Sequence, residues 1–218
     1  MTAISADLVK SLREQTGAGM MDCKKALAEA SGDIDKAIEV LRKKGLKDVS
    51  KRAGKVAREG VVHSYIHAGG RVGVLLELNC ETDFVSRGDD FQSLAKVISM
   101  HIAWSAPRYL NRESVPAEVI EKEKEIYTSQ LKPEQQKMAD KILPGKLEKF
   151  YADNCLLEQL DARDAASKKT IGDLANDVSV KVGEKVVVRR FVRYELGEGI
   201  EKAETDFAAE VAAQVKGH

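Results

Sequence analysis

The residue types that perform acid–base, nucleophilic or metal chemistry are dispersed along this sequence. Its histidines and cysteines are His63, His67, His101, His218, Cys23, Cys80 and Cys155. Neither set has the spacing of a metal site, and an odd number of distant cysteines does not suit a disulfide framework. The phosphate loop G-x-x-x-x-G-K-[ST] and the nucleophile elbow G-x-S-x-G are both absent from the sequence. We therefore expect a binding protein with no cofactor and no direct nucleotide binding, and not an enzyme.

The stretch Thr-Asp-Phe-Val at residues 82–85 offers a different kind of chemistry, that of a contact surface. It follows a Val- and Leu-rich run, 71–78, that predicts a buried strand, and it precedes a helical pattern. Strand-to-helix connections lie at the surface, so Phe84 beside Asp83 could be a rigid apolar contact residue with a polar neighbour. Alternatively, Phe84 folds back as a core plug and Asp83 caps a turn. Spacing alone favours the plug, because most loop aromatics pack inward.

Composition restricts the partners and the location. Lys and Arg number 35 and Asp and Glu also number 35, so the global basic field that would hold nucleic acid is missing. No apolar run approaches the roughly 20 residues of a membrane span, and residues 1–10 lack the basic start and apolar core of a signal peptide. Unpaired cysteines suit a reducing compartment. We expect a cytoplasmic protein with no membrane partner and no specific nucleic acid.

The N-terminal part of the sequence is predicted to be helical. Three helical stripes in residues 1–45 predict a small three-helix bundle, whose third helix stops at Gly45. The following segment, 46–59, belongs to a strongly basic stretch and is predicted to be a partly helical linker. Such a stretch is usually a solvated face, and binding to an acidic partner surface or to RNA is the sharper alternative.

Residues 60–200 predict a core domain, which makes the fold class α+β. Strands at 61–67, 71–80 and 184–196 form one three-stranded antiparallel sheet packed with helices. Asp89 and Asp90 are candidate N-caps of one of these helices, and His101 is a packed or surface residue of that helix rather than a metal ligand. Two helices with sparse apolar stripes predict a protruding hairpin at about 116–152, where a partner could bind. Residues 201–218 predict a C-terminal helix.

Three stretches resemble signatures of the bacterial elongation factor Ts family. Gly-Ala-Gly-Met-Met-Asp-Cys-Lys-Lys-Ala-Leu at 17–27 resembles its N-terminal signature, and Leu-Asn-Cys-Glu-Thr-Asp-Phe-Val at 78–85 resembles its second. Glu-Gly-Ile-Glu-Lys at 198–202 and Thr-Asp-Phe-Ala-Ala-Glu-Val at 205–211 resemble its C-terminal module. The first two are long and specific, and the small bundle resembles a ubiquitin-associated (UBA) domain.

The resemblance implies a guanine nucleotide exchange factor for elongation factor Tu, the GTPase that carries aminoacyl-tRNA to the ribosome. It implies that the bundle docks on a helix of the GTPase domain, and that the Asp–Phe pair enters near the magnesium and the phosphate loop. It assigns partner binding to Arg13, Met20, Met21, Lys24, His67, Thr82, Asp83, Phe84, Val85 and Phe207. The expectation for Phe84 thereby shifts from a buried plug toward an exposed contact. The two methionines, which fit core filling and surface contact equally on sequence grounds, shift the same way.

The chain departs from the longer members of that family, which carry two related sheet subdomains where this sequence has room for one sheet. Segments 64–67 and 69–75 resemble the second subdomain, yet the Thr-Asp-Phe-Val of the first follows on the same module. We therefore predict a homodimer, formed with contributions from the 116–152 hairpin and the single sheet module. Two other functions stay open: a ubiquitin-associated-like adaptor, which leaves 82–85 unexplained, and an RNA-binding factor, which the neutral charge and the lack of exposed aromatic runs disfavour.

Overall fold

The N-terminal part of the fold is a three-helix bundle. The computed structural model describes residues 4–16, 18–52, 54–164 and 166–200, with the backbone alone at 46–51 and 133. The bundle consists of α1 (Ala6–Thr16), α2 (Met20–Glu29) and α3 (Ile34–Arg52). Its small core holds the buried side chains of Val9, Leu12, Cys23, Ala26, Leu27, Ala30 and Ala37. The C-terminal helix predicted for 201–218, with Phe207, lies outside the described residues.

A three-stranded antiparallel sheet forms the centre of the fold, which confirms the α+β class. Its strands are β1 (Glu59–Ile66), β2 (Val72–Cys80) and β3 (Val187–Glu195), in the order β1-β2-β3. The third strand begins three residues later than predicted. Alternating residues of β2 enter the main core, because successive side chains of a strand point to opposite faces. In the part of the chain that the structure describes, the other face of the sheet is open and exposes Val62, Leu75 and Val192.

Two helices follow β2. The one-turn helix α4 (Asp83–Ser86) leads into α5 (Asp89–Ser105), which packs on β1 and β2 and buries Phe91, Ile98 and Ile102 completely. The N-cap of α5 is Gly88, so the prediction that Asp89 or Asp90 caps this helix is wrong. Both aspartates lie in the first turn instead, where their negative charge interacts favourably with the positive end of the helix dipole and stabilises the helix.

The predicted hairpin segment is helical. It comprises α6 (Ala117–Ser129), the single turn α7 (Pro133–Gln136) and α8 (Ala139–Asn154), and α6 packs against α8. Arg112 ties the base of this segment to the body of the protein. Its guanidinium donates to the carboxylates of Glu148 and Glu158 over 2.6–2.7 Å and lies 4.7 Å from the centre of the Tyr151 ring.

The last described helix, α9 (Ile171–Val182), explains why the predicted end of α3 at Gly45 is wrong. A capping box begins α9: the Thr170 hydroxyl accepts from the N–H of Asp173, and the Asp173 carboxylate accepts from the N–H of Thr170. Gly45 is buried in the middle of α3, and a Cβ atom there would lie 3.3 Å from Val180 of α9. The glycine therefore permits close packing of two helices and does not end one.

Because α3 extends to Arg52, the first half of the segment 46–59 continues that helix. Two cations of this segment contact residues beyond it: the Arg52 guanidinium lies 3.5 Å from the Ser179 carbonyl oxygen, and Lys55 Nζ lies 3.1 Å from Glu81 Oε2. In the part of the chain that the structure describes, no helix is both long enough and apolar enough to cross a membrane.

Candidate functional site

The most exposed large apolar side chain of the described residues belongs to the turn that follows β2. Phe84 is 85% exposed, so the alternative that it is a core plug is wrong. Thr82 is the N-cap of α4, and its hydroxyl accepts from the backbone N–H of Val85 at 3.4 Å. Val85 and Ser86 are buried. The phenylalanine is therefore displayed on a short helix whose next two residues are fixed in the core.

Asp83 lies beside it and is also exposed. Its carboxylate accepts from Arg87 one turn later, with Arg87 Nη2 2.7 Å from Asp83 Oδ2. The alternative in which Asp83 caps the turn is wrong, because Thr82 does so. An exposed ion pair of this kind is worth roughly 0–1 kcal/mol. The Asp83 carboxylate is thus available to donors from a partner.

The residues that hydrogen-bond to the backbone of this turn were not predicted from the sequence. Glu184, between α9 and β3, accepts from the backbone N–H groups of Glu81 and Thr82 at 3.1 and 3.0 Å, and from the Thr82 hydroxyl at 2.7 Å. In return, the Glu81 carboxylate accepts from the backbone N–H of Lys185 at 2.8 Å. No local pattern signals these bonds, because the partners are separated by more than one hundred positions.

The electrostatics of the turn agree with this geometry. The N–H of Lys185, followed by the ammonium of Lys55, holds the pKa of Glu81 below its ordinary value. Burial, with the nearby charge of Glu184, raises the pKa of Cys80 to about 11. The Cys80 thiol therefore stays protonated and donates to the carbonyl oxygen of Thr82 over 3.0 Å.

A second group of predicted contact residues lies on the N-terminal bundle. Met20 and Met21 are 60% and 63% exposed, which fits surface contact rather than core filling. Lys24, also exposed, lies one turn after Met20 on the same face of α2. Arg13 is exposed in the last turn of α1. Thioethers beside cations form an adaptable apolar surface with positive charge.

The structure does not bring all the predicted residues together. His67 follows β1, where its Nδ1 lies 3.0 Å from the Tyr65 hydroxyl. Since β1 and β2 are antiparallel, His67 lies at the opposite end of the sheet from the turn that carries Phe84, about 25 Å away along the strands. Val85 is buried, and Phe207 lies outside the described residues. Among the described residues, no group of three or more His, Cys, Asp or Glu side chains is placed to hold a metal ion.

Comparison with known proteins gives consistent matches over nearly the whole chain. A family model described as "Elongation factor TS" matches residues 3–198. The elongation factor Ts of Desulforamulus reducens is 59% identical over 220 residues, which cover 99% of this chain and 100% of the relative. That of Moorella thermoacetica is 60% identical over 205 residues, 92% of this chain and 99% of the relative. That of Geobacter metallireducens is 57% identical over 215 residues, 97% and 98% of the two chains.

Proposed function

The chain belongs to the elongation factor Ts family, and from this membership we propose that it promotes release of GDP from elongation factor Tu by inserting Phe84 beside the magnesium and the phosphate loop of that GTPase. The observation that carries the proposal is the exposure of Phe84 on an anchored turn. Its place of action would be the cytoplasm, during translation elongation.

An exchange factor works by linkage. It binds the nucleotide-free GTPase more tightly than the GDP form, and the nucleotide loses the same factor in affinity. A side chain that contacts the partner only after the phosphate loop has moved provides such a differential contact. Burying a Phe side chain stabilises by roughly 1.5–3 kcal/mol, which corresponds to about one to two decades in nucleotide affinity.

Asp83 has a supporting role in this proposal. Its carboxylate is exposed and already accepts from Arg87, so it can exchange that donor for one on the partner. The Arg87 guanidinium offsets the negative charge that would otherwise approach the phosphate loop. Thr82 and the buried Val85 hold the turn and need not touch the partner.

The bundle supplies affinity rather than exchange. Met20, Met21 and Lys24, with Arg13, would dock on a helix of the GTPase domain through apolar contact and charge. Phe207 would add a further anchor near the end of the chain. His67, at the far end of the sheet, would contact a different part of the partner.

The test is release of fluorescent GDP from purified elongation factor Tu at increasing concentrations of this protein. We expect strong, saturable stimulation. Met20→Ala with Met21→Ala should raise the half-saturating concentration and leave the maximal rate nearly unchanged. A wild-type protein that gives no stimulation at any concentration would refute the proposal.

We also propose that the protein is a homodimer that pairs through the open face of the sheet. Leu75, in the middle of β2, is 47% exposed there, and its neighbour across β3, Val192, is also 47% exposed. Val62, Ile66 and Tyr194 extend this apolar face along the three strands. Exposed apolar faces of this kind mark interaction sites. The hairpin would contribute through Ile126 and Met138, which are also exposed.

A further inference from the structure

Glu184 occupies a fixed position between α9 and β3. Gly183 ends α9 in the left-handed conformation with φ +77°, which glycine adopts readily. The buried hydroxyl of Ser179 then donates to the carbonyl oxygen of Glu184 over 2.5 Å. The backbone of Glu184 is therefore anchored, and its side chain reaches the end of β2.

All three bonds to the Glu184 carboxylate come from donors on the residues before Phe84. Oε2 accepts from the N–H groups of Glu81 and Thr82, and Oε1 accepts from the Thr82 hydroxyl. A carboxylate has only acceptor sites, so it suits three converging donors better than any neutral side chain. Bonds to a charged acceptor are also about twice as strong as neutral ones.

The hydroxyl bond has a directional consequence. The single hydroxyl proton of Thr82 is used in a hydrogen bond to Glu184, with Thr82 Oγ1 2.7 Å from Glu184 Oε1. The lone pairs of the same oxygen then face the N–H of Val85, which caps α4. Glu184 thus orients the group that begins the helix on which Phe84 lies.

We infer that Glu184 is a positioning residue for Phe84. An 85% exposed ring makes few contacts of its own, so its location is set by the backbone on each side. Downstream, Val85 and Ser86 are buried in the core. Upstream, the backbone is held by Glu184 and by the reciprocal bond from Lys185 to Glu81. This inference rests on the proposed role of Phe84 in GDP release.

The decisive variant is Glu184→Gln, which keeps the shape of the side chain but replaces one acceptor oxygen with a donor group. With the NH₂ group toward the Thr82 hydroxyl, that donor loses its partner and the two N–H groups face a neutral, weaker acceptor; the opposite orientation leaves both N–H groups without an acceptor. The matched control is Asp173→Asn at the other end of α9. Asp173 also accepts from a backbone N–H, that of Thr170 at 3.0 Å, but it is remote from the turn.

We expect Glu184→Gln to lower the maximal rate of GDP release at saturation by about fivefold to tenfold, since displacement of a positioned group by 1 Å can cost roughly a hundredfold. The half-saturating concentration should change less than about twofold, because the bundle is untouched. A mere loss of folded protein would do the reverse: it would raise the apparent half-saturating concentration and preserve the maximal rate. Asp173→Asn should give the wild-type maximal rate.

Two further measurements isolate the mechanism. In a double-mutant cycle, Glu184→Gln added to Phe84→Ala should cause no further loss of rate, because Glu184 acts through Phe84. In NMR spectra of the free protein, the amide protons of Glu81 and Thr82 should move upfield and exchange faster in Glu184→Gln but not in Asp173→Asn. Full additivity in the cycle, or unchanged amide signals, would overturn the inference.

The outcomes also separate this inference from the proposed function. If Phe84→Ala slows exchange and Glu184→Gln does not, the positioning role is wrong and the function of Phe84 stands. If the wild-type protein does not stimulate GDP release, or if Phe84→Ala stimulates it as strongly as the wild type, both the positioning role of Glu184 and the proposed function of Phe84 are wrong.

Discussion

Phe84 and Phe91 lie seven residues apart around Gly88, and their side chains lie at opposite extremes of exposure: Phe84 is 85% exposed and Phe91 is 0% exposed. Phe91 packs beneath the sheet in the first turns of α5. The same residue type therefore serves the fold at one position and is free to serve a partner at the other. This pair provides a direct experiment.

Phe84→Ala should lower the stimulated rate of GDP release by about tenfold or more, from the roughly 1.5–3 kcal/mol that burial of a Phe side chain supplies. The free energy of unfolding should change by less than about 0.5 kcal/mol, because the ring is exposed in the free protein. Phe91→Ala should instead cost about 3–5 kcal/mol of stability. Fluorescent GDP release and thermal melting of both variants give the two quantities. Sharp melting of Phe84→Ala, with normal exchange per folded molecule, would contradict the assignment.

Asp83→Ala should reduce exchange less than Phe84→Ala does. The exposed pair with Arg87 contributes roughly 0–1 kcal/mol, and the Thr82 cap that holds the turn remains. The same release measurement, with Arg87→Ala as the matched removal of the other charge, separates the carboxylate from the pair. A greater loss in Asp83→Ala than in Phe84→Ala would show that the carboxylate, and not the ring, dominates exchange.

The proposed homodimer predicts that its association is sensitive to substitution at the centre of the open sheet face. Leu75→Lys places a charge among apolar side chains and should weaken the dimer by about tenfold or more, which is about 1.4 kcal/mol. Light scattering or sedimentation at increasing protein concentration measures this. Met21→Lys, at a similarly exposed position on the bundle, should leave the dimer intact. A wild-type protein that remains a 23.9 kDa monomer at tens of micromolar, where ordinary dimers form, would exclude the dimer.

The isolated protein should bind no guanine nucleotide, because its sequence contains no phosphate loop. Titration calorimetry with GDP should show no heat beyond dilution, and elongation factor Tu in the same buffer serves as the positive control. Saturable binding in the micromolar range would require a nucleotide site on this chain and a different account of exchange.

Two histidines predict a pH dependence of stability: His101, which is buried, and His63, which is half-buried. Burial lowers the pKa of His101 below its ordinary value of 6.5, although bonding to Gln159 partly opposes this. The unfolded chain therefore takes up this proton first as the pH falls, so the contribution of His101 to the free energy of unfolding is fully present above pH 6.5 and is lost below it. His63 acts in the same direction, through burial and the charge of Lys96.

His101→Gln should flatten this decline, as measured by urea unfolding at several pH values between 7.5 and 5. The double variant with His63→Gln should flatten it further, whereas His67→Gln, at an exposed position, serves as the control. An equal slope in the wild type and in His101→Gln would show that His101 does not titrate differently on folding.

The sequence predicted well those features that depend on local pattern. The Val- and Leu-rich run at 71–78 located β2, and the three predicted strands lie within a few residues of their observed bounds. Prediction from the sequence failed where distant segments decide the outcome. Gly45 has the usual signal of a helix end, yet it is a contact point between α3 and Val180. The exposure of Phe84 followed only from the resemblance, because spacing alone cannot state which face of a turn meets the core.

The role of Glu184 could not be predicted from the sequence for the same reason, because its partners are distant along the chain. Its bonds are to backbone groups, which every residue possesses, so the identity of its partners leaves no trace in the residue types. Such side-chain-to-backbone bonds between remote segments become visible only in the folded structure, in which the end of β2 lies beside the end of α9.

The continuity of α3 has a consequence for binding. Its 19 residues span about 28 Å, from the bundle that carries Met20 and Met21 to Arg52, which contacts the carbonyl of the same Ser179 that anchors Glu184. A flexible linker between the two surfaces would lower the effective concentration of the second surface at the partner once the first contact had formed. A helix packed on α9 instead fixes the separation of the two surfaces for which partner contact is proposed. Under the proposed function, this fixed geometry would set the effective concentration of Phe84 at the GTPase, and little conformational entropy would be lost when the complex forms.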